Sequence, residues 1–553
     1  MLVKSSRTLA LLATLSAVSG AAFAAPAQEE RNLNELRNTV VNLLQTLVER
    51  GIVSRDQAEA MVKNAQDKAA ADAAATAAQD AAESNAVRVP YVPEIVKEQI
   101  RKEVAAELAP QVKQQVIEEG QAEGWASSAF MPDWLRRVRW SGDVRVRGQS
   151  DLFAKDNTDE SITNVSAVNA AGSFTKAGLD AFLNTTQDRY RLRARLRLGL
   201  DAELGRGWVV GSRLTSGNLK DPVSTNQTLG NTGQRYQTDI DLAFAAWTGQ
   251  TSSQRQTLTI MGGRIPDPWH SNDLVWDPDL TFEGVSTNYR FGFTRDARTS
   301  HYAFLTLGAF PIQEVERSKN DKWLYGGQLG LDWRFDNGGR VRVSGAYYYF
   351  DNIVGKLNDL DSHLLDYTAP QFVQIGNTLY NIANSSSDPN AVLLGLATDY
   401  HLLDAALNFE LPVTSDYRFT VTGEYVKNLG YDKNEVIGHL PQLPALEAAS
   451  GQRLMDRTNA YLAEVSFGSS VMARPGAWRV ALGYRYLESD ATLDAFADSD
   501  FHLGGTNAKG YTATAEMSFS ERVFGRLRYL SANEIVGLPY GVDVLQFDVN
   551  ASF

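Results

Sequence analysis

The chain has 553 residues, 53 Lys and Arg against 66 Asp and Glu, a formal net charge of −13 and no cysteine. Without cysteine there are no disulfides and no thiolate chemistry, and the acidic balance argues against nucleic acid as a partner. Mean hydropathy is −0.28, yet 21 Tyr, 23 Phe and 10 Trp supply much apolar surface; strands that are wet on one face and greasy on the other combine the two in this way.

At the front, Lys4 and Arg7 precede an apolar run from Leu9 to Phe23 that ends in Ala22-Phe-Ala24. The pattern predicts a secretory signal peptide over 1–24. No later apolar stretch reaches the roughly 20 residues that a spanning helix needs. An exported chain without such a helix is soluble in the periplasm or a barrel.

Residues 25–124 read as a periplasmic helical, coiled-coil segment. Leu33, Leu36, Val40, Leu43 and Leu47 form an a/d seam over about two heptads. Gly51 stops this helix, and Ser54 with Gln57 forms a capping box for a second one. Val96, Ile100, Val104, Leu108, Val112 and Val116 mark a third, interrupted at Pro110. None buries enough on its own face to be stable alone, so the segment is either a self-associating stalk or a partly disordered tether. A linker over 125–139 follows.

From Trp140 to Phe553 the period is two, which predicts an all-β transmembrane barrel of about 16 antiparallel strands. The segments run from 140–150 and 188–204 through to 523–532 and 543–553. Connections are expected to alternate strictly, short turns such as Gly205-Arg-Gly207 against long loops such as 151–187, 266–280, 352–400 and 429–458. Short periplasmic turns with long external loops are the outer-membrane pattern, and an even strand count puts both barrel ends in the periplasm.

Faces follow from cost. Tyr190, Leu192, Ala194, Leu196 and Leu198 alternate with Arg189, Arg191, Arg193, Arg195 and Arg197. An arginine facing mid-bilayer costs about 2–4 kcal/mol, so the arginines must point into the lumen. The same logic makes Arg145, Arg147, Arg213, Arg340 and Arg342 pore-lining, with Asp239 and Asp241 on the fourth strand as opposing acids. The last strand sets Leu545, Phe547, Val549, Ala551 and Phe553 against Val544, Gln546, Asp548, Asn550 and Ser552. Bacterial outer-membrane proteins commonly end in Phe, and by this resemblance Phe553 is an assembly signal read by the barrel assembly machinery.

Longer motifs carry a second resemblance. The stretch Pro132-Asp-Trp-Leu-Arg-Arg-Val-Arg-Trp-Ser-Gly-Asp-Val-Arg-Val-Arg147, the ladder of strand two and Arg213-Leu-Thr-Ser-Gly217 come first. Asp221-Pro-Val-Ser-Thr-Asn-Gln-Thr-Leu229, Asp239-x-Asp-x-Ala243 and Trp276-Asp-Pro-Asp-Leu280 with Glu283-Gly284 follow in the same order. Together they resemble the Gram-negative family called putative porins. The resemblance implies a pore and names no solute. By wider analogy with trimeric porins, an early acidic loop folds into the lumen opposite the arginines. The connection 266–280 has the residues for such a constriction: Asp267, Asp273, Asp277 and Asp279, with Trp269 and Trp276 to pack it. The other reading is an outward loop with solvated acids.

The expected function is an outer-membrane porin for passive diffusion of small hydrophilic solutes, its arginine wall favouring anionic or zwitterionic ones. The partners expected are lipid, those solutes and two further copies in a homotrimer. A solute-specific channel and an envelope tether are the alternatives; aromatic lumen residues would mark the former, and Trp247, Tyr348 and Phe350 are the inward candidates. An enzyme is not expected, because the six histidines fall mostly in external loops or at strand ends without nucleophile or metal spacing. No cofactor or metal is expected. The cluster Asp221 to Asn226 has oxygen ligands for Ca²⁺ but reads better as a polar external loop.

Overall fold

Alternation of apolar and polar side chains is carried through sixteen long strands, and each buries one face because its neighbours repeat the period. In a computed structural model the described residues are 137–553 except 219, 252–254 and 294–300, together with 56, 60, 63, 64, 67 and 68, which are helical. The expected signal peptide 1–24, nearly all of the expected helical segment 25–124 and the expected linker up to 136 lie outside them.

The first strands are β1 (Val138–Phe153), β2 (Arg189–Gly205), β3 (Trp208–Ser216), β4 (Thr238–Gln250) and β5 (Gln256–Pro266). Next come β6 (Thr281–Gly292), β7 (Tyr302–Gln313), β8 (Lys322–Arg334), β9 (Arg340–Asp351) and β10 (His401–Pro412). The remainder are β11 (Tyr417–Asn428), β12 (Asn459–Ser469), β13 (Trp478–Leu487), β14 (Ala508–Ser518), β15 (Val523–Glu534) and β16 (Gly541–Ser552). Each pairs antiparallel with the next, and β16 returns to β1 with Asp548 opposite Arg147 and Val542 opposite Phe153. The result is a closed 16-strand antiparallel barrel. A short strand, Gln227–Thr228, adds to the edge of β2 beyond the end of β3.

Tight turns sit at one end. Between β2 and β3, Gly205, Arg206 and Gly207 all have positive φ, and a Cβ on Gly207 would lie 2.1 Å from the Thr248 carbonyl oxygen. Only glycine satisfies both demands. The opposite end carries loops L1 to L8: 154–188, 217–237, 267–280, 314–321, 352–400, 429–458, 488–507 and 535–540. Loop length does not alternate strictly, since L4 and L8 are as short as turns.

The outer face is a belt of exposed apolar residues, including Leu192, Leu196, Leu329, Leu482, Tyr511 and Phe547. Register shifts at Leu204, Asp241 and Ile312 interrupt the ladders. Asp241 is an extra residue of β4 between the partners of Arg213 and Leu214, a bulge that reverses the faces downstream. Trp247 therefore pairs with exposed Trp208 on the outer side and is not a lumen residue. Tyr348 and Phe350 are fully buried inside.

The interior also holds an apolar core. Trp269, Leu274, Val275 and Trp276 of L3 pack with Ile265, Phe282, Phe310, Leu324, Tyr348 and Phe350 of the wall.

The final residue closes the ladder. Gly142 and Phe553 exchange both backbone hydrogen bonds at 3.0 Å, and a Cβ on Gly142 would lie 2.3 Å from the Phe553 ring. Deleting Phe553, or Phe553→Asp, is expected to lower the heat-modifiable folded form in outer membranes, scored on gels of unheated samples. Equal folded yield in mutant and parent refutes a role in assembly.

Candidate functional site

Loop L3 crosses the barrel interior, and a chain of hydrogen bonds fixes its path. Pro266 ends β5, and the Asp267 carboxylate accepts the Trp269 N–H at 2.8 Å. The Gln328 amide on β8 takes both backbone groups of His270, each at 2.9 Å. The His270 ring bridges Ser344 of β9 at 2.8 Å and Asn408 of β10 at 2.6 Å. Glu424 of β11 accepts the Asn272 N–H at 2.9 Å. Asp273, one of the few non-glycine residues with positive φ, reaches Arg485 of β13 at 3.4 Å. The chain then turns back, and Asp279 contacts Arg197 at 2.5 Å and Arg195 at 3.2 Å on β2.

A second loop enters with it. In L7, Phe496 accepts the Asp277 N–H at 2.8 Å, and Ser499 donates to the Asp277 carboxylate at 2.9 Å. Asp500 sits between Arg147 at 2.9 Å and Arg528 at 3.1 Å, and Asp498 reaches Arg485 at 2.5 Å. Loop L2 lies against L3 as well: Thr225 donates to Asp279 at 3.1 Å and Arg193 to Ser224 at 3.2 Å. Ser224, Thr225 and Asn226 are buried. The stretch 221–226 is thus not an outward polar loop. Neither is His270 an external residue, and His502 is likewise buried, with Nε2 at 3.1 Å from the Tyr540 carbonyl oxygen.

The arginine wall is mostly paired. Arg147 also holds Asp548 at 2.7 Å, Arg191 holds Asp151 at 2.5 Å, Arg195 holds Asp143 at 2.6 Å and Arg213 holds Asp241 at 2.7 Å. Arg340 pairs with Asp332, and Arg342 lies 3.9 Å from the same carboxylate. Arg145 donates to Asn550 at 3.0 Å, and Arg193 to Gln149 at 3.4 Å as well as to Ser224. Among the described residues these two make no ion pair, and the Asp239 side chain makes neither ion pair nor hydrogen bond. Below the loops lies a polar chamber of about 660 Å³, lined by six arginines and eight carboxylates. The expected arginine excess is therefore absent from this chamber.

Sequence reasoning missed Asp498, Asp500, Arg485, Arg479 and Glu516. The one signal available was the acid-rich run Asp494-Ala-Phe-Ala-Asp-Ser-Asp500 in a loop.

Loop charges respond to this setting. Burial works against ionised Asp279, but Arg197 and Arg195 outweigh it and hold the group below the usual carboxylate range. Arg147, Arg528 and Arg193 likewise overcome burial at Asp500. Asp277 is pushed well up, by burial first and then by Asp498 and Asp279. His270 is pushed down to about 4 by burial and then by Arg342.

These shifts give the seat of L3 a pH window. Raised Asp277 favours seating at low pH, and that contribution is lost as pH rises through its value in the folded protein. Lowered His270 favours seating above its ordinary value of 6.5, and the contribution is lost as pH falls from there to about 4. Asp277→Asn is expected to remove the alkaline loss and His270→Gln the acid one, read as open-channel noise in single-channel records across the two limbs. Identical pH profiles in parent and variants would sink both assignments.

Among solved structures the chain is similar to OprB of Pseudomonas putida, at 10% identity over 76% of this chain and 94% of that one, TM-score 0.40. It is similar to the outer-membrane channel DcaP of Acinetobacter baumannii, at 13% identity over 75% and 97%, TM-score 0.30. A mutant of the Rh. blastica porin matches at 12% identity over 75% and 100%, TM-score 0.33. A search of the curated proteins finds no match. The family model described as putative porin matches residues 37–553, and the chain belongs to that family of outer-membrane channels.

Proposed function

We propose that the protein is a water-filled channel for passive diffusion of small hydrophilic solutes, with L3 as its constriction and L7 as a second narrowing element. The observation that carries the reading is L3, tied across the lumen by Asp273 to Arg485 at 3.4 Å and clamped on its return by Asp279 to Arg195 and Arg197 at 3.2 and 2.5 Å. A loop tied to the far wall sets a fixed bore. Paired rows of guanidinium and carboxylate at such a bore orient dipolar solutes, which is how charged rings select. The pairing supports preference for zwitterions over simple anions. It also supports the solute-specific alternative, because two loops and an apolar core occupy space that a general pore leaves to water.

In this reading Arg145, Arg147, Arg191, Arg193, Arg195, Arg197, Arg213, Arg340 and Arg342 line the path with Asp239 and Asp241, and Asp273, Asp277 and Asp279 narrow it. Asp267, exposed at the root of the loop, serves to start its turn. The N-terminal segment 25–124 belongs in the periplasm, and assembly as a homotrimer remains part of the proposal. Recording purified protein in a planar bilayer tests the reading. Ohmic KCl current with near-neutral ion selectivity and block by zwitterions is the expected result; absence of any current overturns it.

A further inference from the structure

A second chamber, of about 440 Å³, lies on the loop side of L3 between its returning half and the ends of β3 to β8. Its volume is in the range of small-molecule sites, about 300–1,000 Å³. Its chemistry differs from that of the polar chamber. Trp276, Phe282 and Phe310 are buried in its wall, and Phe372 of L5 and Phe496 of L7 are part-exposed there. Trp276 packs edge-on to Phe282 at 5.0 Å, and Phe282 lies 5.1 Å from Phe310, so the aromatic wall is continuous. Asp279, held by Arg195 and Arg197, lines both chambers.

The charges of this chamber are not balanced locally. Two cations line it, and both are committed. Arg264 is held by Glu283 at 2.6 Å. The Lys322 ammonium is 2% exposed and donates to the Thr368 and Ala369 carbonyls at 3.3 and 2.9 Å. Asp241 and Asp279 are matched by arginines. Three lining carboxylates make no ion pair among the described residues: Asp221, Asp239 and the buried Asp494. Asp221 accepts the Val223 N–H of its own turn, at 3.2 Å. Asp239 has no side-chain partner. It shares the inward face of β4 with Asp241, and Ile240 between them is 60% exposed on the outside.

We propose that this chamber binds organic cations with an aromatic or cycloaliphatic body, the ammonium or guanidinium on Asp239 and the apolar body against Phe372, Phe496 and the wall behind them. An ammonium supplies the hydrogen bonds and charge that Asp239 lacks, and an aromatic wall strengthens the hold on a cation next to it. A simple anion gains neither. The inference rests on the channel reading only for the way in which the solute arrives.

Phenethylamine is the probe, with phenylacetate and ethylamine as controls, the first of opposite charge and the second without the ring. Two measurements are made on the full-length protein: calorimetric titration of the folded protein in detergent micelles, and block of KCl current in bilayers. Phenethylamine is expected to bind and to block at concentrations at least about tenfold below either control, the scale of one charge-assisted hydrogen bond. Asp239→Asn and Phe372→Ala, each checked for the heat-modifiable folded form, are expected to weaken binding several-fold. Equal binding of phenylacetate, or unchanged binding in both variants, overturns the proposal. Binding without any KCl current would support the site and overturn the channel reading, whereas current without charge-selective binding would do the reverse.

Discussion

Trp276→Ala is expected to raise single-channel conductance and open-channel noise while leaving the barrel folded. The indole is 2% exposed and wedged between Phe282 at 5.0 Å, Tyr348 at 5.1 Å and Phe496 at 5.8 Å. Emptying such a site costs about 3–5 kcal/mol. The loss falls on the seat of the loop, because the strand ladders do not involve Trp276. The first half of L3 stays pinned by Gln328, Ser344, Asn408 and Glu424, so the returning half, 275–280, gains the freedom. It carries Asp277 and Asp279, and its excursions widen the bore intermittently. Gels of unheated samples should show parental amounts of folded protein. A variant with parental conductance and noise would show that L3 is not the narrowing element.

Changing Arg193 and Arg195 together to Gln is expected to shift the reversal potential towards cation preference, most clearly in dilute KCl. The two arginines contribute differently. Arg193 donates to neutral groups and makes no ion pair among the described residues, so its removal subtracts a positive charge that acts on Asp500 only through space. Arg195 is 8% exposed and pairs with Asp143 and Asp279. Its loss leaves Asp143 with Arg197 at 3.7 Å and Asp279 with Arg197 at 2.5 Å, one guanidinium serving two carboxylates. In water each charge is felt at about 1 kcal/mol at 4 Å, enough to change a local cation-to-anion ratio several-fold. The effect should fade as the Debye length falls to about 10 Å at 0.1 M salt. Folding should barely change, since lumen substitutions tune selectivity more than stability. The same reversal potential in parent and variant at low salt would sink the placement of both residues on the conduction path. So would labelling of cysteines at 193 and 195 by lipid-phase rather than aqueous reagents.

Strand faces were legible from sequence because the information is local. A five-arginine alternation on β2 admits one orientation in a bilayer, and Leu192 at 60% exposure against Arg195 at 8% follows it. Trp247 was misread for an equally local reason. A single extra residue, Asp241, shifts the ladder between Arg213 and Leu214, and no composition signal marks a bulge at an aspartate. Loop L3 could be suspected from its four acids and two tryptophans, but its direction could not be known. His270 binds residues 74 and 138 positions away, and nothing in the loop itself reports on them.

By itself, then, the sequence determined the barrel and its strand count, and it predicted a lumen side for the arginines, because a period of two and the cost of a charge in lipid act residue by residue. Tertiary structure alone decided which carboxylate each arginine meets. Arg147 finds Asp500 and Asp548 at separations of 353 and 401 residues, and such partners are set by closure of the barrel and by the entry of L7. Whether the wall is a bare cationic surface or a compensated one, and so which solutes it favours, depends on those distant pairings. Electrostatic energy falls with distance through space and is indifferent to distance along the chain.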